Sequence, residues 1–303
     1  MNDSLASKPA VEGKDTYQEI RWPLGHLTLA GLHWPCEKPQ PEAPPVVMLH
    51  GWLDNCLSFV RLAPELRSFA DVYALDMAGH GHSGHRPQGQ SYLLVDYVAD
   101  LAEMVDASFS RPVDLVGHSL GGIVALLYAA AFPEKVRKLV LIDSFGPISK
   151  TADEAVAQLR RGIIKRISGS GSSGGYATRK EAGRARAGGL SPLSPEAAEQ
   201  LVGRNLRQAG DAFVWRTDPR LRHPSLTMYT EDQTQAFIRS VKADTLLIRA
   251  EKGLLGNPAH WQSRMEAMPS LKEVVVPGSH HCHLDGDTRP VADAVRGFLI
   301  NEH

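Results

Sequence analysis

The sequence lacks most of what would tie it to a special environment. Three cysteines stand in 303 residues, Cys36, Cys56 and Cys282. They show no metal or redox spacing and leave an odd one over, as expected of a reduced, cytoplasmic protein. No apolar run reaches the ~18 residues that a membrane span needs. Residues Met1 to Asp15 are polar, lack the apolar core of a signal peptide and are expected to form a disordered leader. Charge of neither sign dominates, with 33 Lys and Arg against 34 Asp and Glu, so there is no charge case for nucleic acid or an anionic membrane as the main partner. No internal repeat is present. What remains is ordinary: 43% hydrophobic and 22% charged residues, enough for one large α/β domain with room for an inserted subdomain.

Hydrophobic patterning supplies the order of elements. Tyr17 to Trp22 and Leu27 to Trp34 read as two strands joined by a turn at Pro23-Leu24-Gly25. After the proline-rich stretch Pro35 to Pro45, Val46-Val47-Met48-Leu49 is continuously apolar, as a strand covered on both faces should be. A short helix is expected over Ser58 to Arg67, then a strand at Val72 to Asp76 and a helix over Leu94 to Ser108. Lys138 to Asp143, Thr245 to Ala250 and Glu273 to Val276 read as further strands, with helices around Pro258 to Met268 and Arg289 to Ile300. Strand and helix alternating in this way argue for a doubly wound, mostly parallel sheet. From Gly146 to about Ala236 the alternation stops, and the segment is polar and helix-rich. Its cluster Arg160, Arg161, Lys165 and Arg166 is expected to be a solvated helix face rather than an anion site.

Val113-Asp114-Leu115-Val116 reads as a short apolar strand. Gly117-His118-Ser119-Leu120-Gly121-Gly122 follows, then an Ala- and Leu-rich helix from Ile123 to Ala131. Gly-x-Ser-x-Gly between strand and helix is the pattern of a nucleophile elbow, which holds a serine hydroxyl clear of the sheet. Free N–H groups at the helix start point at any anion forming beside Ser119. An acyl-transfer serine also needs a base, a group to orient that base, and donors for the oxyanion. The loop Gly278-Ser279-His280-His281-Cys282-His283-Leu284-Asp285 follows the last strand and opens on the same carboxyl edge of the sheet, where ligands of such folds bind. Its histidines are candidate bases. A metal is the competing reading, but only His280 or His281 with His283 has useful spacing, and no strand exit supplies obvious further ligands. No metal and no cofactor are expected.

Taken together, His50-Gly51-Trp52-Leu53-Asp54-Asn55, Asp76-x-x-Gly79-x-Gly81-x-Ser83 and Gly117-His118-Ser119-Leu120-Gly121-Gly122 resemble the α/β-hydrolases, in particular the serine hydrolase-like branch. The likeness runs over about residues 17–145 and 240–301. The resemblance implies the α/β-hydrolase fold, with Ser119 as nucleophile and backbone N–H groups of Trp52 and Leu120 as oxyanion donors. It also implies a catalytic histidine after the last strand with an acidic residue five positions later, which selects His280, with Asp285, over His281. The family usually takes its acid from just after the strand here spanning Thr245 to Ala250. This sequence reads Ala250-Glu251-Lys252-Gly253, with glycine where that aspartate would stand. Some relatives, haloalkane dehalogenases among them, place the acid at the end of the preceding strand, which matches Asp143. Asp143 is therefore the expected acid and Glu251 the alternative.

Serine at the elbow, where relatives that open epoxides or displace halide carry aspartate, implies attack on an acyl carbonyl. The expected function is a cofactor-free serine carboxylesterase working through an acyl-enzyme on small to medium apolar esters; Trp52 and Met77 near the mouth suggest an apolar acyl site, with ordinary packing the favoured reading of each. A carbon–carbon-bond hydrolase or perhydrolase of the same fold is the alternative. So is a catalytically weak binding protein, which the glycine at 253 motivates. The expected organisation is a leader over 1–15, a core over 16–145 and 237–303, and a helical cap or lid over 146–236. The partner is a small-molecule ester, without nucleic acid or a membrane span. Oligomeric state is not legible.

Overall fold

The computed structural model describes residues 17–38, 42–171, 174–189, 191–256, 259 and 261–301; the leader expected over 1–15 lies outside them. Strands β1 (Gln18–Pro23) and β2 (Thr28–Trp34) form an antiparallel hairpin. Then come β3 (Val46–Leu49), α1 (Ala63–Leu66), β4 (Val72–Asp76), α2 (Leu94–Ser108), β5 (Val113–His118), α3 (Leu120–Ala131) and β6 (Val136–Ile142). An insertion follows with helices α4 (Ala155–Ser168), α5 (Arg179–Ala187) and α6 (Pro195–Asn205), a small hairpin of β7 (Leu206–Ala209) and β8 (Ala212–Trp215), and α7 (Glu231–Ser240). The chain then returns to the sheet through β9 (Asp244–Lys252), α8 (Gln262–Ala267), β10 (Leu271–Ser279) and α9 (Arg289–Ile300).

The eight-stranded sheet has the order β1-β2-β4-β3-β5-β6-β9-β10. β2 pairs with β4 antiparallel, and every later pairing is parallel. Because side chains alternate across a strand, each central strand feeds two cores. In β6, Leu139 and Leu141 pack with α2 and α3 on one face, while Val140 and Ile142 pack with α1 and α9 on the other. Parallel pairing also gathers the carboxyl ends of β3, β4, β5, β6, β9 and β10 along one edge; Trp52, Ser119, Leu120, Asp143 and His280 follow those ends, while Glu251 lies within β9.

Local departures from the expected elements have physical causes. The single helix expected over 58–67 is a 3-10 turn at Cys56–Phe59 and the short α1. Pro64 lacks an N–H to bond back into a preceding turn, so the helix restarts at its first positions, where that donor is not needed. Of the helix expected around 258–268, α8 begins at Gln262, and Pro258 lies outside the described residues. α7 straddles residue 236, and its Phe237 and Ile238 pack against the core on the α3 face.

Candidate active site

Between β5 and α3, Ser119 has φ 51° and ψ −117°, a left-handed backbone that costs a non-glycine residue about 1–3 kcal/mol. Neighbouring packing over-determines it. Ser119 N–H donates to Ile142 O at 3.2 Å, and Ser144 Oγ donates to Ser119 O at 2.7 Å. A Cβ on Gly121 would stand 2.0 Å from Leu49 O, so the helix start can lie this close to β3 only with glycine there. Ser119 is half-buried, and among the described residues its hydroxyl has no hydrogen-bond partner.

The three histidines of the loop after β10 diverge to three partners. His280 Nδ1 donates to Asp143 Oδ2 at 2.6 Å. His281 Nε2 donates to Asp54 Oδ2 at 3.0 Å, and His283 Nε2 hydrogen-bonds Ser58 Oγ at 2.8 Å. His118, beside the elbow serine, donates from Nε2 to His280 O at 2.9 Å, and its ring lies 4.3–4.9 Å from the other three imidazoles. Burial, reinforced by neighbouring imidazoles, holds His118 and His283 well below the ordinary histidine range, so both are neutral at pH 7. Asp285, five residues after His280, instead accepts from Ser194 N–H at 2.7 Å, at the start of α6.

Asp143 is buried, with φ 44°, and its Oδ2 also accepts from Leu254 N–H at 2.7 Å. A Cβ on Gly253 would stand 2.3 Å from Asp143 Oδ1. The glycine that replaces the usual acid thus leaves the space that the Asp143 carboxylate fills. Glu251, by contrast, is exposed. The backbone N–H groups of Trp52 and Leu120 have no hydrogen-bond partner among the described residues. Trp52 instead donates from its indole Nε1 to Leu221 O of the insertion at 3.0 Å. Met77 is buried in the core on the α2 and α3 face of the sheet, in line with the ordinary packing expected of it.

The sequence reading missed the arginine that reaches this site from the insertion. Arg186 Nη2, on α5, donates to Asp54 Oδ1 at 2.6 Å and lies 3.3 Å from His281 Nε2. Burial alone would raise the Asp54 carboxyl, but His281 and Arg186 outweigh it and hold it far below the usual carboxylate range. Asp54, His118 and His281 bring one donor atom each within 4.8 Å of one another, a spacing a cation could use. The Arg186 guanidinium already supplies positive charge there. The motif Asp54-Asn55 was a local signal for one half of this pair; no local pattern marks Arg186 among the arginines of its helix. Next to it, a cavity of about 370 Å³ is bordered by Trp52, Leu53, Tyr176, Trp215, Arg186 and Arg222, among others.

Comparisons with known proteins agree with this fold. The family model described as the alpha/beta hydrolase fold matches residues 44–165. The chain is 31% identical to a serine hydrolase-like protein of Danio rerio, over 93% of this chain and 88% of that one. It is 30% identical to serine hydrolase-like protein 2 of Homo sapiens, over 98% of both. Among solved structures, a hypothetical protein of Pseudomonas aeruginosa PAO1 superposes with a TM-score of 0.87 at 37% identity, over 93% of this chain and 99% of that one.

Proposed function

Because the chain belongs to the α/β-hydrolase family, in its serine hydrolase-like branch, we propose that it is a serine carboxylesterase built on Ser119, His280 and Asp143. The observation that carries this reading is the 2.6 Å hydrogen bond from His280 Nδ1 to the buried Asp143, on the sheet edge that also holds the Ser119 elbow. With Nδ1 engaged in donating, the other ring nitrogen, Nε2, is left as the acceptor for a serine proton. Ser119 Oγ attacks the ester carbonyl as His280 takes its proton, and the carbonyl π electrons move onto oxygen. The N–H groups of Trp52 and Leu120 stabilise that oxyanion. Collapse expels the alcohol, which receives the proton from His280, and leaves an acyl-serine. Water, deprotonated by His280, attacks the acyl carbonyl; Ser119 leaves with the proton and the acid is released. Asp143 holds the imidazole in orientation and offsets its charge when protonated.

We read residues 146–236 as a cap that selects the acyl group. A cavity of about 370 Å³ between the cap and Trp52–Leu53, at the small end of the ~300–1,000 Å³ typical of ligand pockets, adjoins the oxyanion loop rather than Ser119 itself, and its size is in keeping with small to medium acyl chains. Hydrolysis of a p-nitrophenyl ester series from acetate to long acyl chains tests the reading. Turnover of short and medium esters that Ser119→Ala abolishes is expected. A wild type as inert as Ser119→Ala on every ester would overturn it in favour of a carbon–carbon-bond substrate or a binding role.

A further inference from the structure

Helix α4 is built inside out. Of its fourteen residues only Gln158 and Gly162 are buried. Its large apolar side chains all face solvent: Val156 is 79% exposed, Leu159 47%, Ile163 41%, Ile164 55% and Ile167 80%. At 100° per residue these fall on one stripe centred opposite the Gln158–Gly162 seam. They make up five of the twelve large apolar side chains exposed among the described residues, so the patch is concentrated rather than scattered. The same helix carries Arg160, Arg161, Lys165 and Arg166 and no acidic residue. Arg160 falls within the stripe, and Arg161 and Arg166 flank it.

The near-neutral net charge hides a division. Residues 146–236 hold 14 Lys and Arg against 9 Asp and Glu, a net +5; the rest of the chain, 19 against 25, is −6. We propose that α4 docks the protein on an anionic phospholipid surface, its isoleucine stripe sunk among the acyl chains and its cations among the headgroups. An apolar ridge edged by cations is the pattern of an interfacial helix lying in the membrane plane. A second copy of this chain is a poor occupant, because pairing two such stripes would bring Arg160, Arg161 and Arg166 of each helix together with no acid on either helix. A groove beside α4, bordered by Arg160, Arg161, Lys165 and Arg222, offers room for a phosphate headgroup. Arg222 also borders the cavity next to Trp52, so the docked face adjoins the cavity.

The test is co-sedimentation of the full chain with vesicles of phosphatidylcholine alone and with about one quarter phosphatidylglycerol. It needs no catalytic readout, so its failure is distinct from failure of the esterase reading. Binding to the mixed vesicles is expected, lost at about 0.5 M salt and weak on phosphatidylcholine alone. Arg160→Gln with Lys165→Gln should reduce partitioning on the order of tenfold or more, and Ile163→Ser with Ile167→Ser should abolish it. Far-UV circular dichroism and the thermal unfolding midpoint, unchanged in both variants, show that they are folded. Wild type remaining in the supernatant with mixed vesicles, or the isoleucine variant binding as well as wild type, would overturn the proposal. A wild-type dimer in sedimentation equilibrium that the isoleucine variant dissolves would overturn it in favour of a second copy.

Discussion

The sheet and the insertion are held together by different physics. Around the sheet, two continuous layers of buried aliphatic and aromatic side chains do the work. Leu221 and α7 of the insertion join the core on the α3 face, but among the described residues the rest of it has small clusters, one of Leu193, Ala197, Ala198 and Leu201 with Leu284, and one of Ala182, Val202 and Leu206. That part is fastened to the sheet edge largely by polar ties. Arg186 reaches Asp54, Arg204 Nε reaches Asp76 Oδ2 at 2.7 Å, and Tyr92 Oη donates to Asp218 at 2.8 Å. Apolar packing is non-directional and tolerant, so the sheet provides a rigid frame for chemistry. Buried ion pairs depend on geometry and are costly to break, which makes the attachment of the insertion sensitive to single residues.

This contrast can be broken at graded points. The largest effect is expected at the elbow, where Ser119→Ala should lower kcat on a p-nitrophenyl ester by about 10⁴-fold or more with the fold intact. Next, Asp143→Asn should cost about 10³–10⁴-fold by mispairing the His280 imidazole, while Glu251→Gln stays within about twofold of wild type; steady-state kinetics of the pair separates the two acids.

At the insertion, Arg186→Met leaves Asp54 buried without its cation and should cost about 3 kcal/mol in urea unfolding at pH 7. The pH dependence carries a sign. Asp54 is held below its unfolded value, so its contribution is full above that value of about 3.9 and is lost as pH falls below it. Wild type should therefore lose stability below about pH 4 more steeply than Arg186→Met.

A smaller effect is expected from Gly253→Ala. Its new methyl would meet the Asp143 carboxylate and displace it, lowering kcat by about tenfold. The smallest is on α4, where Ile163→Ser should change stability by under about 0.5 kcal/mol. Leu141→Ala in β6, fully buried, should cost about 2–5 kcal/mol. Equal costs at the two positions would erase the distinction drawn between the regions.

The same contrast explains what was legible in the sequence. Val46 to Leu49 and Leu139 to Ile142 are uninterrupted apolar runs, so the parallel strands and their order could be read, and with them the edge on which Ser119 and His280 sit. The hairpin β7–β8 was not expected, because its strands are four residues each and half-exposed or exposed apart from Leu206, too short to show a period. The ties from Arg186 and Arg204 join residues 132 and 128 positions apart, and no local pattern marks such pairs. Gly253 could be read in the sequence as a missing acid. Only the fold shows that the Asp143 carboxylate occupies the space a side chain there would need. The arginines of α4 are exposed, as a solvated face would have them, and the isoleucines beside them are exposed as well, which the reading of that face from its charges alone did not address.

The central claim is that the chain carries an activated serine whose histidine is oriented by an acid from the end of β6. Reaction with a fluorophosphonate, followed by intact mass and peptide mapping, tests it most directly. The account predicts one adduct per chain, on Ser119, formed about 10²-fold or more slowly in Asp143→Asn and at the wild-type rate in Glu251→Gln. An unmodified wild type, or Asp143→Asn labelled as fast as wild type, would contradict it.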